Sequence, residues 1–261
     1  MHSVPQRESG TVFRVIALIE ALVEFPDETN SQLAERVDLP RPTVHRLLGM
    51  LQQRGFAAHS ASTHYAAGPA LHRLAGKLHA QLPWANLAGP LLRHLSDAFS
   101  ETAFLNLLVR EKLARFVVLS AAPPVPLRYA VDLNELSSLL WGASSRSILA
   151  YLSAEEIEAA IARDDPAPFD GHRIDRGELQ GSLAQTRAVG MALVRSQRAR
   201  DAVGIAVPFF DSAGEVRGSV ALTVPVERYQ DAALKRYAPA LKKAAASLST
   251  QLGWDLGSTP R

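Results

Sequence analysis

The residues best suited to bind a polyanion stand close together near residue 45. Arg41, Thr43, His45 and Arg46 all lie between residues 41 and 46. An arginine can donate two hydrogen bonds to guanine, and a threonine can contact a thymine methyl group or a phosphate. If these side chains share one exposed helix face, they form a surface that could read DNA. The alternative is that they only solvate the surface of a helix.

The charge distribution around this segment favours the same partner. No Asp or Glu occurs between Asp38 and Asp97, where six Arg or Lys residues stand. Five of the eight histidines lie between His45 and His79. Because the net charge of the whole chain is only +2, the local distribution carries this argument and the total does not. A chance run on a solvated surface is the alternative.

Catalytic and metal-binding patterns are missing from the sequence. The chain has no cysteine, which excludes disulfides, thiolate nucleophiles and thiolate metal ligands. Beyond residue 80 only His94 and His172 occur, and neither stands in a metal-ligand spacing or beside an obvious serine or carboxylate partner. No glycine-rich phosphate loop of the Walker or Rossmann type is present. We therefore expect no enzyme activity, no catalytic residue, no cofactor and no metal.

Three short helices would position the basic segment. Apolar residues at helical spacing predict helices over residues 12–25, about 30–37 and from Pro42 to a stop at Gly55. Thr29 and Gln32 form a capping box at the start of the second helix. In a helix-turn-helix, the start of the third helix meets base edges. Its apolar stripe leaves the basic side chains exposed there, and it consists of Val44, Leu47, Leu48 and Leu51.

The segments that follow predict a wing, a linker and a second domain. Residues 56–59 and 64–68 flank a polar tip and predict a short β-hairpin, and residues 71–82 predict an amphipathic linker helix. Beyond Pro83, helices and strands mix, which indicates an α+β domain. Predicted helices cover 84–99, 144–152, 154–162, 178–188 and 230–252, predicted strands cover 103–109, 114–120, 203–210 and 216–224, and the predicted domains are 1–68, 69–83 and 84–261.

Length and composition fit folded domains without a membrane segment. The chain has 261 residues, of which 47% are hydrophobic, enough for a buried core in each of two domains. The first ten residues contain no apolar signal region, and no stretch reaches the roughly 18 apolar residues that a membrane span needs. We therefore expect a cytoplasmic protein with no membrane partner.

Residues 12–68 resemble the winged-helix domain of IclR-type transcriptional regulators. The matching motif is Leu39-Pro40-Arg41-Pro42-Thr43-Val44-His45-Arg46-Leu47-Leu48, followed by Leu51, Arg54-Gly55 and Tyr65-Ala66-Ala67-Gly68. Pro42 stands where the family usually has a serine, and Ala67 where it has a leucine. The resemblance implies a DNA-binding surface that includes Arg41, Pro42, Thr43, His45, Arg46 and, in the wing, His64.

The resemblance continues through the C-terminal half. Residues 145–150 are similar to the family's G-K-A-L-L-A helix, and residues 203–211 and 220–225 are similar to its paired core strands. Gln197 stands where many members carry a glutamate. The resemblance implies an N-terminal winged helix-turn-helix, a linker helix and a GAF-like α/β effector-binding domain with a central antiparallel sheet. It also implies homodimers or dimers of dimers, and a ligand that changes operator affinity.

The resemblance also implies where an effector would bind. Non-polar residues occupy several pocket positions that are often polar in the family, so we expect a mainly apolar organic acid and weak binding of a compact hydrophilic acid. Arg128 would anchor the acid group and Trp141 would form a wall; a surface charge and ordinary packing are the alternatives. The predicted effector-binding residues are Arg128, Trp141, Gly142, Ala143, Ser144, Val194, Gly204, Ala221 and Thr223.

Three functions compete at this point. The leading hypothesis is a ligand-responsive transcriptional regulator that binds a near-palindromic double-stranded operator as a dimer or tetramer. The second is a winged-helix module for protein contacts, with a C-terminal dimerisation or signalling domain; the basic third helix argues against it. The third is a small-molecule enzyme with an accessory helical domain, which the missing catalytic constellation disfavours.

Overall fold

The computed structural model describes residues 10–257 except 82, 126–128, 130, 131, 169 and 256. The chain divides into two compact units, Met1–Leu82 and Pro83–Arg261. Over the described parts of both units, no helix combines the length and the apolar character that crossing a membrane requires. The division places the predicted linker helix with the N-terminal unit.

The N-terminal unit is the predicted winged helix-turn-helix. Three helices precede a β-hairpin, and a further helix follows it. The unit contains α1 (Thr11–Glu24), β1 (Glu28–Thr29), α2 (Asn30–Arg36), α3 (Arg41–Gln53), β2 (Ala57–Ala61), β3 (His64–Ala67) and α4 (Pro69–Gln81). The two-residue strand β1 was not predicted; it pairs antiparallel with β3, which gives a three-stranded sheet in the order β1-β3-β2.

One apolar core holds the three helices and the hairpin together. The predicted stripe of α3 is buried, and it packs with Leu18 and Leu22 of α1, Leu33 of α2 and Tyr65 of β3. The capping box at Thr29 is formed: its hydroxyl accepts from the Gln32 amide at 3.3 Å, and the Gln32 side chain accepts from the Thr29 amide at 2.9 Å. Both bonds satisfy backbone donors that a helix start leaves open.

The C-terminal unit is built on a curled antiparallel sheet of six strands in the order β6-β5-β4-β9-β8-β7. The hairpin predicted around residues 211–214 joins β8 and β9 at the centre of the sheet. The strands are β4 (Thr102–Val109), β5 (Ala114–Ala121), β6 (Ser137–Ser138), β7 (Ala192–Arg195), β8 (Ala202–Phe210) and β9 (Val216–Pro225), and the helices are α5 (Pro83–Leu87), α6 (Gly89–Phe99), α7 (Ala143–Leu149), α8 (Ala154–Ala162), α9 (Arg176–Val189) and α10 (Leu234–Gln251).

Two predicted helices differ from the structure. The helix expected over 84–99 is split into α5 and α6 at Ala88. Pro90 explains the split, because proline lacks an amide donor and fits the first turn of a new helix better than the middle of an old one. The last helix begins at Leu234 after a 3₁₀ turn over Asp231–Ala233, four residues later than predicted.

The short helix α7 sits against the middle of the sheet. It packs on β8 and β9, and Ala143 at its start belongs to one apolar cluster with Ala206 of β8 and Ala221 of β9. A side chain at Gly204 would place its Cβ only 3.1 Å from the Cβ of Ala143, so the glycine allows this close approach. The contact fixes the start of α7 beside the ends of β8 and β9 that lie away from the hairpin turn.

Candidate nucleic-acid interface and effector pocket

The third helix presents a basic face to solvent. Arg41, Pro42, His45 and Arg46 are exposed and Thr43 is half-buried, whereas the opposite face is buried in the core. Burial of the apolar stripe fixes which side of the helix faces outward. The structure therefore brings the predicted DNA-binding residues of α3 together on one accessible surface; their contacts with DNA stay a prediction.

The two arginines of this face have different surroundings. Arg41 Nη2 lies 4.0 Å from Glu35 Oε1, and both side chains are exposed, so this pair contributes little. Among the described residues, Arg46 has no acidic partner, and its Nη1 lies 3.6 Å from the sulfur of Met50. Arg46 is therefore available to an anionic ligand without first breaking an ion pair.

The wing is fastened to the helical part of the domain. Ser60 near its tip donates a 2.6 Å hydrogen bond to Asp27 Oδ1, and His64 lies opposite Thr29 in the pairing of β3 with β1. His64 is half-buried, and its Nδ1 lies 3.2 Å from the Thr63 hydroxyl. The wing strand that carries His64 is thus held in place before any DNA is bound.

A cavity of about 260 Å³ opens between the start of α7 and the ends of strands β4, β5, β7, β8 and β9. It lies at the small end of the range of about 300–1,000 Å³ for small-molecule sites. Its apolar lining residues are Phe104, Val117, Ala143, Val194, Ala221 and Leu222. Its polar lining residues include Arg115, Tyr129, Ser137, Ser144, Gln197 and Arg198, with Asp132 and Glu135 at exposed positions.

Most of the predicted pocket residues line this cavity, and one does not. Gly142, Ala143, Ser144, Val194, Gly204, Ala221 and Thr223 are brought together there; that they bind an effector stays a prediction. The expectation that Trp141 forms a wall is wrong. Its side chain is fully buried in the core beside α9, where its Nε1 donates to the carbonyl of Asp165 at 2.8 Å. Arg128, the predicted acid anchor, lies outside the described residues.

Sequence reasoning missed a buried arginine on strand β5. Arg115 lines the cavity and is 4% exposed. Its Nη1 donates to Asn106 Oδ1 at 2.6 Å and its Nε donates to the Ser145 hydroxyl at 3.0 Å. Burial, with a smaller effect of the positive charge on Arg198, lowers the pKa of Arg115 to about 9. The charged guanidinium is therefore held where its positive charge is poorly solvated.

A loop between β7 and β8 covers part of the cavity. Gln197 accepts a 3.1 Å hydrogen bond from the Gly142 amide, and the Arg198 side chain passes so close to Gly142 that a Cβ there would lie 2.8 Å from Arg198 Cδ. Arg198 Nη2 reaches the Ser137 hydroxyl at 3.4 Å. Arg198 is exposed, but the desolvation of its guanidinium lowers its pKa, against the opposite effect of Asp132.

No catalytic site emerges from the described residues. Contrary to the sequence reading, His172 does have a carboxylate neighbour, since its Nδ1 lies 2.5 Å from Asp170 Oδ1. Both side chains are about half exposed, and the histidine ring packs edge-on against Trp141 with 4.7 Å between the ring centres. No hydroxyl or other nucleophile contacts this pair in the described part of the chain. Within that part, no cluster of His, Asp and Glu could hold a metal ion.

Comparisons with known proteins match both units of the chain. A model of the IclR helix-turn-helix domain matches residues 11–60, and a model of the C-terminal domain of IclR bacterial transcriptional regulators matches residues 77–250. The transcriptional regulator KipR of Bacillus subtilis is 24% identical over 250 residues, which cover 95% of this chain and 99% of the relative. The matched models and relatives are transcriptional regulators, which confirms the expectation that the chain is not an enzyme; the expected absence of a cofactor and of a metal stays a prediction.

Solved structures share the fold over nearly the whole chain. A transcriptional regulator of the IclR type from Silicibacter sp. TM1040 has a TM-score of 0.84 at 25% identity and covers 94% of this chain and 97% of its own. An IclR homologue from Microbacterium hydrocarbonoxydans, solved in complex with 4-hydroxybenzoate, has a TM-score of 0.76 at 20% identity and covers 94% and 99%. With both of its domains matched by the family models, the chain belongs to the IclR family of DNA-binding bacterial transcriptional regulators.

Proposed function

We propose that this chain is an effector-responsive regulator, which binds its operator through α3 and the wing and binds a small organic acid in the cavity of the C-terminal unit. The observation that carries the proposal is a cavity of about 260 Å³ lined by apolar residues and by two arginines, in a family of DNA-binding regulators. Apolar lining supplies most of the binding free energy for a small ligand, and a few polar groups fix its orientation.

The operator is proposed to be a near-palindromic duplex that a dimer reads in two half-sites. One recognition helix covers only a few base pairs, and symmetric dimers match symmetric sites. Exposed apolar side chains support self-association. Phe13 on α1 is 50% exposed and Leu78 on α4 is 64% exposed, and contact with a second chain would cover both of these large side chains. A dimer of dimers would bind two such pairs of half-sites, one pair for each dimer.

The effector is proposed to be an acid with a compact apolar body. The homologue from Microbacterium hydrocarbonoxydans binds 4-hydroxybenzoate, which has this combination of groups. In the present chain, Val194, Gly204 and Ala221 offer van der Waals contact and no side-chain hydrogen bond. A small hydrophilic acid such as glyoxylate would leave that side of the cavity unfilled and is expected to bind weakly.

Capture of genomic fragments by the purified full-length protein, followed by sequencing, tests the DNA half of this proposal. We expect enrichment of fragments that share two inverted half-sites about one or two helical turns apart, and binding that weakens steeply as salt increases. Gel shifts on one enriched duplex, with one half-site scrambled as the control, check the symmetry. Enrichment without a shared inverted motif, or no binding at low salt, would refute the proposed operator mode.

A further inference from the structure

The buried arginine on β5 has no anionic partner among the described residues. Arg115 donates to two neutral acceptors, the Asn106 amide oxygen and the Ser145 hydroxyl, and forms no ion pair. A buried cation is normally paired with a carboxylate, because desolvation without a counter-charge is costly. Here the guanidinium lines an open cavity instead. Its lowered pKa agrees with this incomplete neutralisation.

The guanidinium is also fixed in orientation. Asn106 is fully buried, and its Nδ2 donates to the Ser144 hydroxyl at 3.1 Å while its Oδ1 accepts from Arg115. Ser145 in turn donates to the carbonyl of Ser138 at 2.8 Å. The chain of hydrogen bonds ties Arg115 to strand β4 and to the start of α7. A cation held in this way loses little conformational freedom when an anion binds it.

A second cation stands across the same cavity. Arg198 belongs to the covering loop, and its charge is close enough to lower the pKa of Arg115. Two positive side chains facing one cavity repel each other, and an anion between them removes that repulsion. Asp132, whose side chain is exposed, offsets part of the charge of Arg198.

We propose that Arg115 binds the carboxylate of the effector, with Arg198 closing over the same group, and that the apolar body of the acid lies against Phe104, Val117 and Val194. This inference rests on the proposed function of the cavity. It assigns recognition of the acid group to Arg115 and Arg198 instead of Arg128. It leaves the strand positions 194, 204 and 221, which carry no polar side chain, to the apolar part of the acid. The effector class is therefore a monoacid with one carboxylate and an apolar remainder.

Matched acids and amides test this assignment on the purified full-length protein. The probes are benzoate, phenylacetate and hexanoate, each compared with its uncharged carboxamide of nearly the same shape, by thermal shift and titration calorimetry at pH 7. For the tightest acid we expect a Kd at least tenfold lower than that of its amide. Arg115→Gln and Arg198→Gln should each weaken that acid at least tenfold and leave the amide nearly unchanged.

Arg217→Gln is the matched control, since Arg217 is exposed on β9 and does not line the cavity. It should bind acids as the original chain does. Because Arg115→Gln also removes hydrogen bonds within the fold, circular dichroism checks its structure, and Arg198→Gln provides a second test on a residue with fewer internal contacts. Any of three results would overturn the assignment. These are equal binding of acids and amides, binding of acids to both variants as tightly as to the original chain, and no binding of any acid.

The operator measurement separates this inference from the proposed function. If the original chain binds its enriched duplex but no probe acid, the carboxylate assignment fails while the DNA-binding proposal stands. If an acid binds through Arg115 and no duplex is bound, the operator mode fails and the carboxylate assignment stands.

Discussion

Arg46 is exposed and has no carboxylate partner among the described residues, so its charge is available for a nucleic-acid contact. Arg41 and His45 are exposed near it on α3, and the helix beneath is held by buried leucines. Arg46→Ala is expected to weaken operator binding by roughly 1–3 kcal/mol, the value of a bidentate contact to a base. Gel-shift titration on the enriched duplex and on a shuffled duplex measures the loss and its dependence on sequence.

The same substitution at Arg217 is the control for a lost positive charge, because Arg217 lies in the C-terminal unit on exposed strand surface. Its alanine variant should bind the operator like the original chain. The melting temperature of Arg46→Ala should not change, since Arg46 makes no buried contact. Unchanged operator affinity in Arg46→Ala would show that this arginine only solvates the helix.

At the scale of elements, the backbone between β3 and α4 closely approaches the backbone between α3 and β2. A Cβ added to Gly68 would lie 2.3 Å from the carbonyl oxygen of Gly55, which itself has a φ of 74°. Only backbone atoms are involved, so no side chain can move aside. Gly68→Ala is therefore expected to destabilise the N-terminal unit by roughly 2–3 kcal/mol. Amide hydrogen exchange at Leu47 and Leu48 reports the stability of this unit separately from that of the other.

Gly49→Ala is the opposite case and the matched control. Gly49 lies inside α3, and no heavy atom stands within 4 Å of its added Cβ. Alanine is favoured over glycine inside a helix, so this variant should slow exchange by an amount equivalent to roughly 0.5–1 kcal/mol. Slowed or unchanged exchange in Gly68→Ala would contradict the close approach seen between these segments.

Elements with a strong local signal were predicted well from the sequence. The α3 stripe, the capping box at Thr29 and the hairpin around 211–214 depend on nearby residues, and all three are present in the structure. The strands β1, β6 and β7 were missed because they have only two to four residues and form by pairing with partners far along the chain. Such short strands carry no alternation of their own that a sequence pattern could reveal.

The cavity was predicted only in part for a related reason. The resemblance located the residues around Gly142 and on β8 and β9, but Arg115 belongs to a strand that reads as apolar. Alternation along that strand would place Arg115 and Val117 on one face. The pairing of β4 with β5 is irregular between Leu105 and Asn106, which shifts the register beyond that point. The arginine within an apolar strand was the available signal, and its burial became clear only from the fold.

For the whole molecule, the proposed function requires that ligand and operator influence each other's binding. A ligand shifts DNA affinity only if it binds the DNA-competent conformation and the alternative conformation unequally. By thermodynamic linkage, each bound acid changes the operator Kd by the factor by which the operator changes the Kd of that acid site, so a dimer with two filled cavities changes its operator Kd by the product of the two factors. This equality does not depend on whether the regulator represses or activates.

The last prediction is therefore a fixed relation between two ratios. With the tightest acid found among the probes, saturating acid should change the operator Kd of the dimer by the square of the factor by which saturating operator changes the acid Kd per site. That per-site factor is about 5- to 150-fold for a coupling of 1–3 kcal/mol. Fluorescence anisotropy of labelled duplex measures the first ratio, and calorimetry of the preformed complex measures the second. Arg217→Gln should reproduce both ratios, because it alters neither binding surface. Ratios that depart from this squared relation beyond error would contradict two equivalent acid sites on an operator-bound dimer, and two ratios of one would remove this acid as an effector.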